Sequence, residues 1–515
     1  MKALKKYRWP LTGALLGVLV FLAVYGVRVL DPTSVDWILN SLSPDPIQHY
    51  LGWELFRRSP VHLPYIGANY NAVYPFRTSV LFTDSLPLAA LFFKLLGGIL
   101  PTRFQYFGWW GLLCYALQGG LAQAVIARIA GVQPTFGRDD KGKAAIAISM
   151  SPGQTAKLWG SVLGAGVLVL FPALTIRMFA HTALAANWLV LLALYLWLRS
   201  DELMPTTRRA CLIWGGMGLL CAGIHLYYLP MVGLVLVGYA VRRALQKRGF
   251  AAAVLAPVAA FCAAALAELV LLGAFAVNFA GYSNGYLSGA DYFGLFVPWL
   301  AQSWEQNVYA GVGTSLAVVL AVFGIVCNAR KAEKFFAAHR DWLIAGAVVL
   351  VLDLIAAGGN AITVNGKTLF TVPIPQLLMN FWAMFSSCAR LAWLAGMLLA
   401  AVGCGLVLRF WDNGVAPALM LAVCAVAQGW GQRSELFNRW TDYHYYGFRY
   451  ENKTLLTDPV WEQVAASGRY SHLAFATFDF EHDEFWDLVD FAADHGWTSN
   501  SFYMAHMDGN LAAVT

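Results

Sequence analysis

Charge is what this chain has least of. Asp, Glu, Lys and Arg make up 12% of its 515 residues, while apolar types make up 59%. A soluble domain carries roughly 25% charged residues, so a water-soluble enzyme built from several domains is excluded. The eight cysteines lie in or beside apolar segments, no CxxC occurs, and residues 431–515 contain none. No disulfide framework is indicated. The chain also lacks a GxxxxGK[ST] phosphate loop and an HExxH zinc helix, which removes two common chemistries. No solenoid-like repeat is visible. The net charge of +6 comes from short basic clusters between apolar runs, the pattern of cytoplasmic membrane loops, so nucleic acid is not an expected partner.

What the chain does have is apolar runs of about 16 to 25 residues, recurring almost to residue 430. The start, "MKALKKYRWPLTGALLGVLVFLAVYGVRVL", is basic like a signal peptide. Its apolar run is too long for one, and no convincing small-residue cleavage site follows, so it reads as an uncleaved first span with a cytoplasmic N-terminus. Residues 31–104 then form a first external loop. Spans follow at 105–127, 158–175, 182–198, 211–225, 229–241, 250–277, 312–328, 342–358, 391–408 and 415–430. The apolar segment 79–100 is excluded from the count by parity: as a full span it would place "RSDELMPTTRR", "RRALQKRG", "NARKAEKFFAAHR" and "LRFWDNG" outside, against the positive-inside rule. It is expected to be a half-embedded or juxtamembrane helix. The fold class is therefore an all-α polytopic membrane domain over 1–430 with about 11 spans, followed by an external soluble segment over 431–515. Within that segment "SHLAFATF" alternates like a strand. Phe485, Leu488, Val489 and Ala492 recur at helical spacing, and "TSNSFYMA" follows, giving a strand, helix, strand unit. At this size it is expected to lean on the membrane domain or to belong to a longer chain.

The candidate chemistry sits mostly in the external loops. In "SPDPIQHYLGW", Asp45 reads as the N-cap of a helix from Pro46, with Gln48 in the capping-box position. That is a sufficient structural explanation of Asp45. On such a helix His49 shares a face with Gly52, Trp53 and Phe56. Asp84, in "TDSLP", enters an apolar helix as a cap or as a second functional carboxylate. Arg177 and His181 are four residues apart at an outer span end, where charges often only snorkel. "IHLYYLP" holds His225 and Tyr227, and "FSSCARLAW" holds Arg390, whose guanidinium fork suits a phosphate. Glu268 and Asp353 fall inside spans, where a carboxylate is a functional candidate by default, with a neutral hydrogen-bonded role as the alternative.

The order of these features resembles the GT-C superfamily of polyprenyl-phosphate-sugar glycosyltransferases. More narrowly, "DPIQHYLGW", "YPFRTSVLFTDSLPL", "PALTIRMFAHTALAANW" and "CARLAW" look like an uncharacterised bacterial family related to it, over about residues 31–510. The resemblance implies an inverting glycosyltransferase of the bacterial inner membrane. It would move a sugar from a lipid-phosphate carrier to a saccharide or lipid acceptor on the outer face. Asp45 matches the position of the superfamily's base, better than Asp36 does. Asp45 is followed by Pro46, where several members have two adjacent acids. On this reading Asp45 is the base, His49 orients it or the acceptor, and Asp84 is a second acid. Arg177 and Arg390 hold the phosphate, and His181, His225 and Tyr227 complete the substrate site. No cofactor is expected beyond a candidate divalent cation. Two readings compete: a transporter or flippase of a lipid-linked saccharide using Glu268 and Asp353, and a noncatalytic scaffold for envelope assembly.

Overall fold

A computed structural model describes residues 2–132, 136–138, 144–146, 151–246, 252–275, 287–297, 308–448, 454–477, 480 and 482–504. The connection read as cytoplasmic between the second and third spans lies partly outside these residues. The chain is mostly helical with small two-stranded sheets. Among the described residues five helical segments are long and apolar enough to cross a membrane: Phe107–Ala130, Tyr228–Leu245, Ala253–Leu271, Arg340–Gly358 and Cys388–Phe410. Two bent pairs, Val312–Cys327 with Ala329–Ala338 and Val415–Gly431 with Arg433–Phe448, raise the number to seven if each is one broken span. Shorter or less apolar helices occupy the remaining apolar segments.

Small residues let these helices approach closely, as membrane helices require where lipid offers no hydrophobic drive to associate. The first helix, Lys2–Tyr25, lies against Phe107–Ala130. A Cβ added at Gly17 would stand 1.9 Å from the Tyr115 carbonyl oxygen, so only glycine fits there.

The two ends of the bundle differ. One collects basic residues with acidic partners: Arg242 donates to Asp201 and Asp341, Arg128 pairs with Glu202, and Lys331 with Asp412. The helix Tyr228–Leu245 runs from beside Tyr227 to that basic end. At 1.5 Å per residue this places Tyr227 about 27 Å away, at the opposite end.

At that opposite end lies the first-loop helix Pro44–Arg58, buried from Pro46 to Phe56. Its N-cap is Ser43, whose Oγ accepts from the Asp45 amide, and Pro44 takes the first turn. The expectation that Asp45 is the N-cap is therefore corrected by two residues. Both Pro44 and Pro46 suit a first turn, and the earlier one is used. At the other end of the helix Glu54, buried, pairs with Arg57 (3.1 Å) and with Arg58, and Lys94 donates to the Phe56 carbonyl.

The segment 79–100 forms a 3-10 turn, Val80–Thr83, then the nine-residue helix Pro87–Leu95. Nine residues reach about 14 Å, half the bilayer core of about 30 Å, so it does not cross.

The C-terminal unit pairs His472–Leu473 in parallel with Thr498–Ser499 across the helix Asp483–Asp494. It is not detached. Ser499 donates its amide to Asn71 and accepts from the Tyr74 amide, both at 2.7 Å, so the first loop is tied to the second strand. Arg103 pairs with Asp490 (2.8 Å) and Asp494 (2.6 Å). Residues 433–448, read with the tail, pack on the bundle instead. Tyr443 sits in an aromatic cluster with Tyr25, Trp37 and Phe179, and Arg439 donates to the carbonyls of Ile176 and Met178.

Candidate functional site

The end of the bundle away from the basic cluster encloses a cavity of about 200 Å³ lined by Asp45, Gln48, Asp84, His181, His225, Tyr227, Ser386, Ser387, Arg390 and Tyr503, with apolar neighbours. Six separate parts of the chain supply these groups. Asp45 and Gln48 stand three apart in the first turns of the Pro44 helix, hence on one face. His225 and Tyr227 join two helices, Arg390 lies on the 3-10 turn Cys388–Ala392, and Tyr503 comes from the C-terminal unit.

Asp84 is held by an unusual turn. Its φ is 50° and that of Leu86 is 56°, the left-handed region that side chains rarely adopt. Such backbone strain persists only where the surroundings enforce it, and it concentrates at functional sites. Here Ser85 Oγ donates to the His49 carbonyl (2.8 Å) and Tyr106 donates to the Ser85 carbonyl. The turn fits against the Pro44 helix because residue 52 is glycine: an added Cβ would stand 2.5 Å from Thr83.

Two carboxylate and histidine pairs face the cavity. His181 Nδ1 lies 3.3 Å from Asp45 Oδ2 and 3.0 Å from the Ala180 carbonyl. A ring nitrogen between two acceptors carries the proton. His225 Nδ1 accepts from the Tyr227 amide (3.2 Å), which assigns its proton to Nε2, 3.5 Å from Asp84 Oδ1. Burial raises the Asp84 carboxyl above its usual range, His181 and Arg390 pull it back, and Asp45 pushes it up again. The Arg390 guanidinium stacks 5.0 Å from the centre of the Tyr227 ring, whose hydroxyl accepts from the Ser387 amide.

Six of the sequence-derived residues thus share one cavity: Asp45, Asp84, His181, His225, Tyr227 and Arg390. His49 and Arg177 do not line it. His49 is buried behind His181, ring centres 6.3 Å apart, and neither ring nitrogen has a hydrogen-bond partner among the described residues. Burial, then His181, hold its imidazole well below the ordinary histidine range, so it is neutral. The residue beside Asp45 is His181, not His49. Arg177 is fully buried with its guanidinium 5.6 Å from the centre of the Trp393 ring, which removes it from direct contact with anything in the cavity.

Gln48 and Tyr503 were not singled out from the sequence. Gln48 reads in the sequence as a capping-box residue, a role that the cap at Ser43 removes, and Tyr503 sits in a strand-like run with no polar signal. Among the described residues no three His, Cys, Asp or Glu side chains converge to hold a metal ion.

The intramembrane acids lie elsewhere. Asp353 Oδ2 accepts the Ala395 amide (3.0 Å) in the first turn of the helix Trp393–Phe410, satisfying a donor that a helix start leaves open. No hydrogen bond or ion pair joins Glu268 to Asp353 among the described residues.

A second, apolar groove of about 430 Å³ adjoins the cavity, lined by Leu88, Phe92, Trp109, Trp110, Leu113 and Leu220 among others. Ile224 belongs to both.

Fold and site together define a polytopic membrane protein with a buried polar cavity at one end of its bundle. The chain belongs to the DUF6311 family: the model described as a domain of unknown function (DUF6311) matches residues 14–433, and that of the DUF6311 C-terminal domain matches 460–514. No curated protein and no solved structure matches it.

Proposed function

We propose that this protein is an inverting membrane glycosyltransferase of the bacterial inner membrane, with eleven crossings, a cytoplasmic N-terminus and the cavity on the outer face. It transfers a sugar from a polyprenyl-phosphate carrier to a saccharide or lipid acceptor. The observation that carries the reading is the junction at Ile224. A cavity holding two carboxylates, two histidines and an arginine opens beside an apolar groove, which is the shape a polar head on a lipid tail requires.

Asp45, steadied by His181, takes the proton of the acceptor hydroxyl as its oxygen attacks the anomeric carbon. The bond from that carbon to the phosphate oxygen breaks, and the phosphate leaves with the electron pair. Arg390 meets the charge that collects on the departing phosphate. Asp84, 3.5 Å from His225 Nε2, is the second acid. Arg177 acts from beneath, as part of the packing that places Trp393 and the turn carrying Arg390.

The test is transfer from labelled polyprenyl-phosphate sugars by the purified chain and by Asp45→Asn. Because Ser43 caps the helix, the substitution is expected to leave stability unchanged while transfer falls about 100-fold or more, the usual worth of a general base. Uptake of a lipid-linked saccharide into proteoliposomes, lost in Glu268→Gln or Asp353→Asn and accompanied by no transfer, would establish the transporter reading instead.

A further inference from the structure

Gln48 is 2% exposed, lines the cavity, and its Nε2 has no hydrogen-bond partner among the described residues. A buried donor left unmet is costly, and a ligand oxygen that meets it removes the cost. Tyr503 lines the same cavity from the C-terminal unit. Its ring stacks on Phe480 (4.3 Å between centres) and meets the edge of Trp486. Its neighbour Met504 receives the Thr78 hydroxyl, and Ser499 is bonded to the first loop on both sides. The position of the phenol is thus set by docking of the C-terminal unit. Burial, then Asp45 and Asp84, raise its hydroxyl above the ordinary tyrosine range, so it remains a donor.

Both groups are neutral donors standing near two carboxylates. An anion is unfavourable there, whereas a hydroxyl is served on both sides: its proton by a carboxylate, its oxygen by the Gln48 amide or the Tyr503 phenol. The tyrosine ring adds an apolar face with a polar tip, suited to a ring with apolar C–H faces. We propose that Gln48 and Tyr503 form the wall of the site that hydrogen-bonds the hydroxyl groups of the bound sugar, making the C-terminal unit a constituent of the site that selects its substrate. This rests on the glycosyltransferase reading above, and it separates two tasks within the cavity: Arg390 takes the phosphate, and the opposite chemistry of Gln48 and Tyr503 reads the sugar.

The experiment uses the full chain in detergent with farnesyl-phosphate-linked glucose, galactose, mannose and N-acetylglucosamine. The tightest of the four is then compared with its singly deoxygenated forms. Tyr503→Phe and Gln48→Met preserve size and remove one donor each. Each is expected to weaken binding of the parent sugar about 5- to 10-fold, the worth of one hydrogen bond, and to bind one deoxygenated form as well as the unaltered chain does. Equal losses on every deoxygenated form would show a merely structural role and overturn the inference. If the unaltered chain binds one of the four and both variants bind it as tightly, this inference fails while the glycosyltransferase reading stands. Failure of the unaltered chain to bind any of the four overturns both.

Discussion

At the basic end of the bundle Arg242 lies between Asp201 and Asp341 at 2.7 and 3.0 Å, and both acids are partly exposed. At the cavity end Asp45 and Asp84 face histidines, at 3.3 and 3.5 Å, with Arg390 beside them in the same enclosed space. The first arrangement compensates charge at hydrogen-bond distance, where water screens what is left, and it holds helices together. The second places carboxylates in a low-dielectric cavity beside two histidines, whose charge is conditional, and one arginine. Charge in that state responds strongly to a ligand, so the two ends are expected to fail differently when altered.

The largest effect belongs to the cavity end. Asp84→Asn keeps a residue that tolerates the left-handed turn and removes the charge. Transfer is expected to fall about 100-fold, on the scale of acid and base catalysis, with an unchanged thermal midpoint. A lowered midpoint with normal transfer per folded molecule would make Asp84 a turn residue only. Arg390→Lys comes next. It keeps the charge and loses the fork, so the apparent affinity for the lipid-phosphate donor is expected to fall about tenfold, as for loss of one charge-assisted hydrogen bond. Arg177→Lys, beneath the cavity, is expected to lower stability and leave that affinity intact. The reverse outcome for the two arginines would exchange their roles.

That division between Arg390 and Arg177 marks what the sequence makes legible. Both sit beside apolar runs, and loop charge parity assigns both to one end of the bundle. Nothing local says which side chain turns into the cavity, because that depends on the packing of Trp393 and of the Arg433–His444 helix. Asp84, His181, His225 and Tyr227 are visible for the same reason as Asp45: each is a polar residue where apolar periodicity stops. Tyr503 is not. Its place beside Asp45 comes from a contact across 458 positions, made through Asn71, Tyr74 and Arg103, and no spacing rule reaches that far. The nine-residue Pro87–Leu95 helix is legible only through parity, since its composition alone passes for a span. Asp45 and His49 show the cost of a small shift in register. Moving the cap from Asp45 to Ser43 releases the carboxylate to His181, and His49 lies buried behind that ring.

At the basic end, Arg242→Met is expected to destabilise by about 2 kcal/mol by leaving Asp201 and Asp341 without their common cation, and to leave transfer per folded molecule unchanged. Loss of transfer without loss of stability would mean that the two ends are coupled and that the contrast between them is wrong.

The smallest effect concerns the pair that fastens the C-terminal unit, which combines features of both ends. Asp490 is bonded by Arg103 like an acid of the basic end and buried like one of the cavity. Burial is the stronger influence: it pushes the carboxyl up to about 6, with Arg103 opposing it and Asp494 and Glu54 adding to it. A carboxyl whose docked value lies above its undocked value near 4 holds more protons docked than undocked between those two values. Docking is therefore firmest below about pH 4 and weakens as pH rises through about 6. Hydrogen exchange across residues 483–499, corrected for its intrinsic pH dependence, is expected to lose protection several-fold between pH 4.5 and 7, with the slope flattened in Asp490→Asn. Protection that increases with pH over the same range would show that the attraction of Arg103 outweighs burial. Asp490 would then belong with the structural pairs of the basic end.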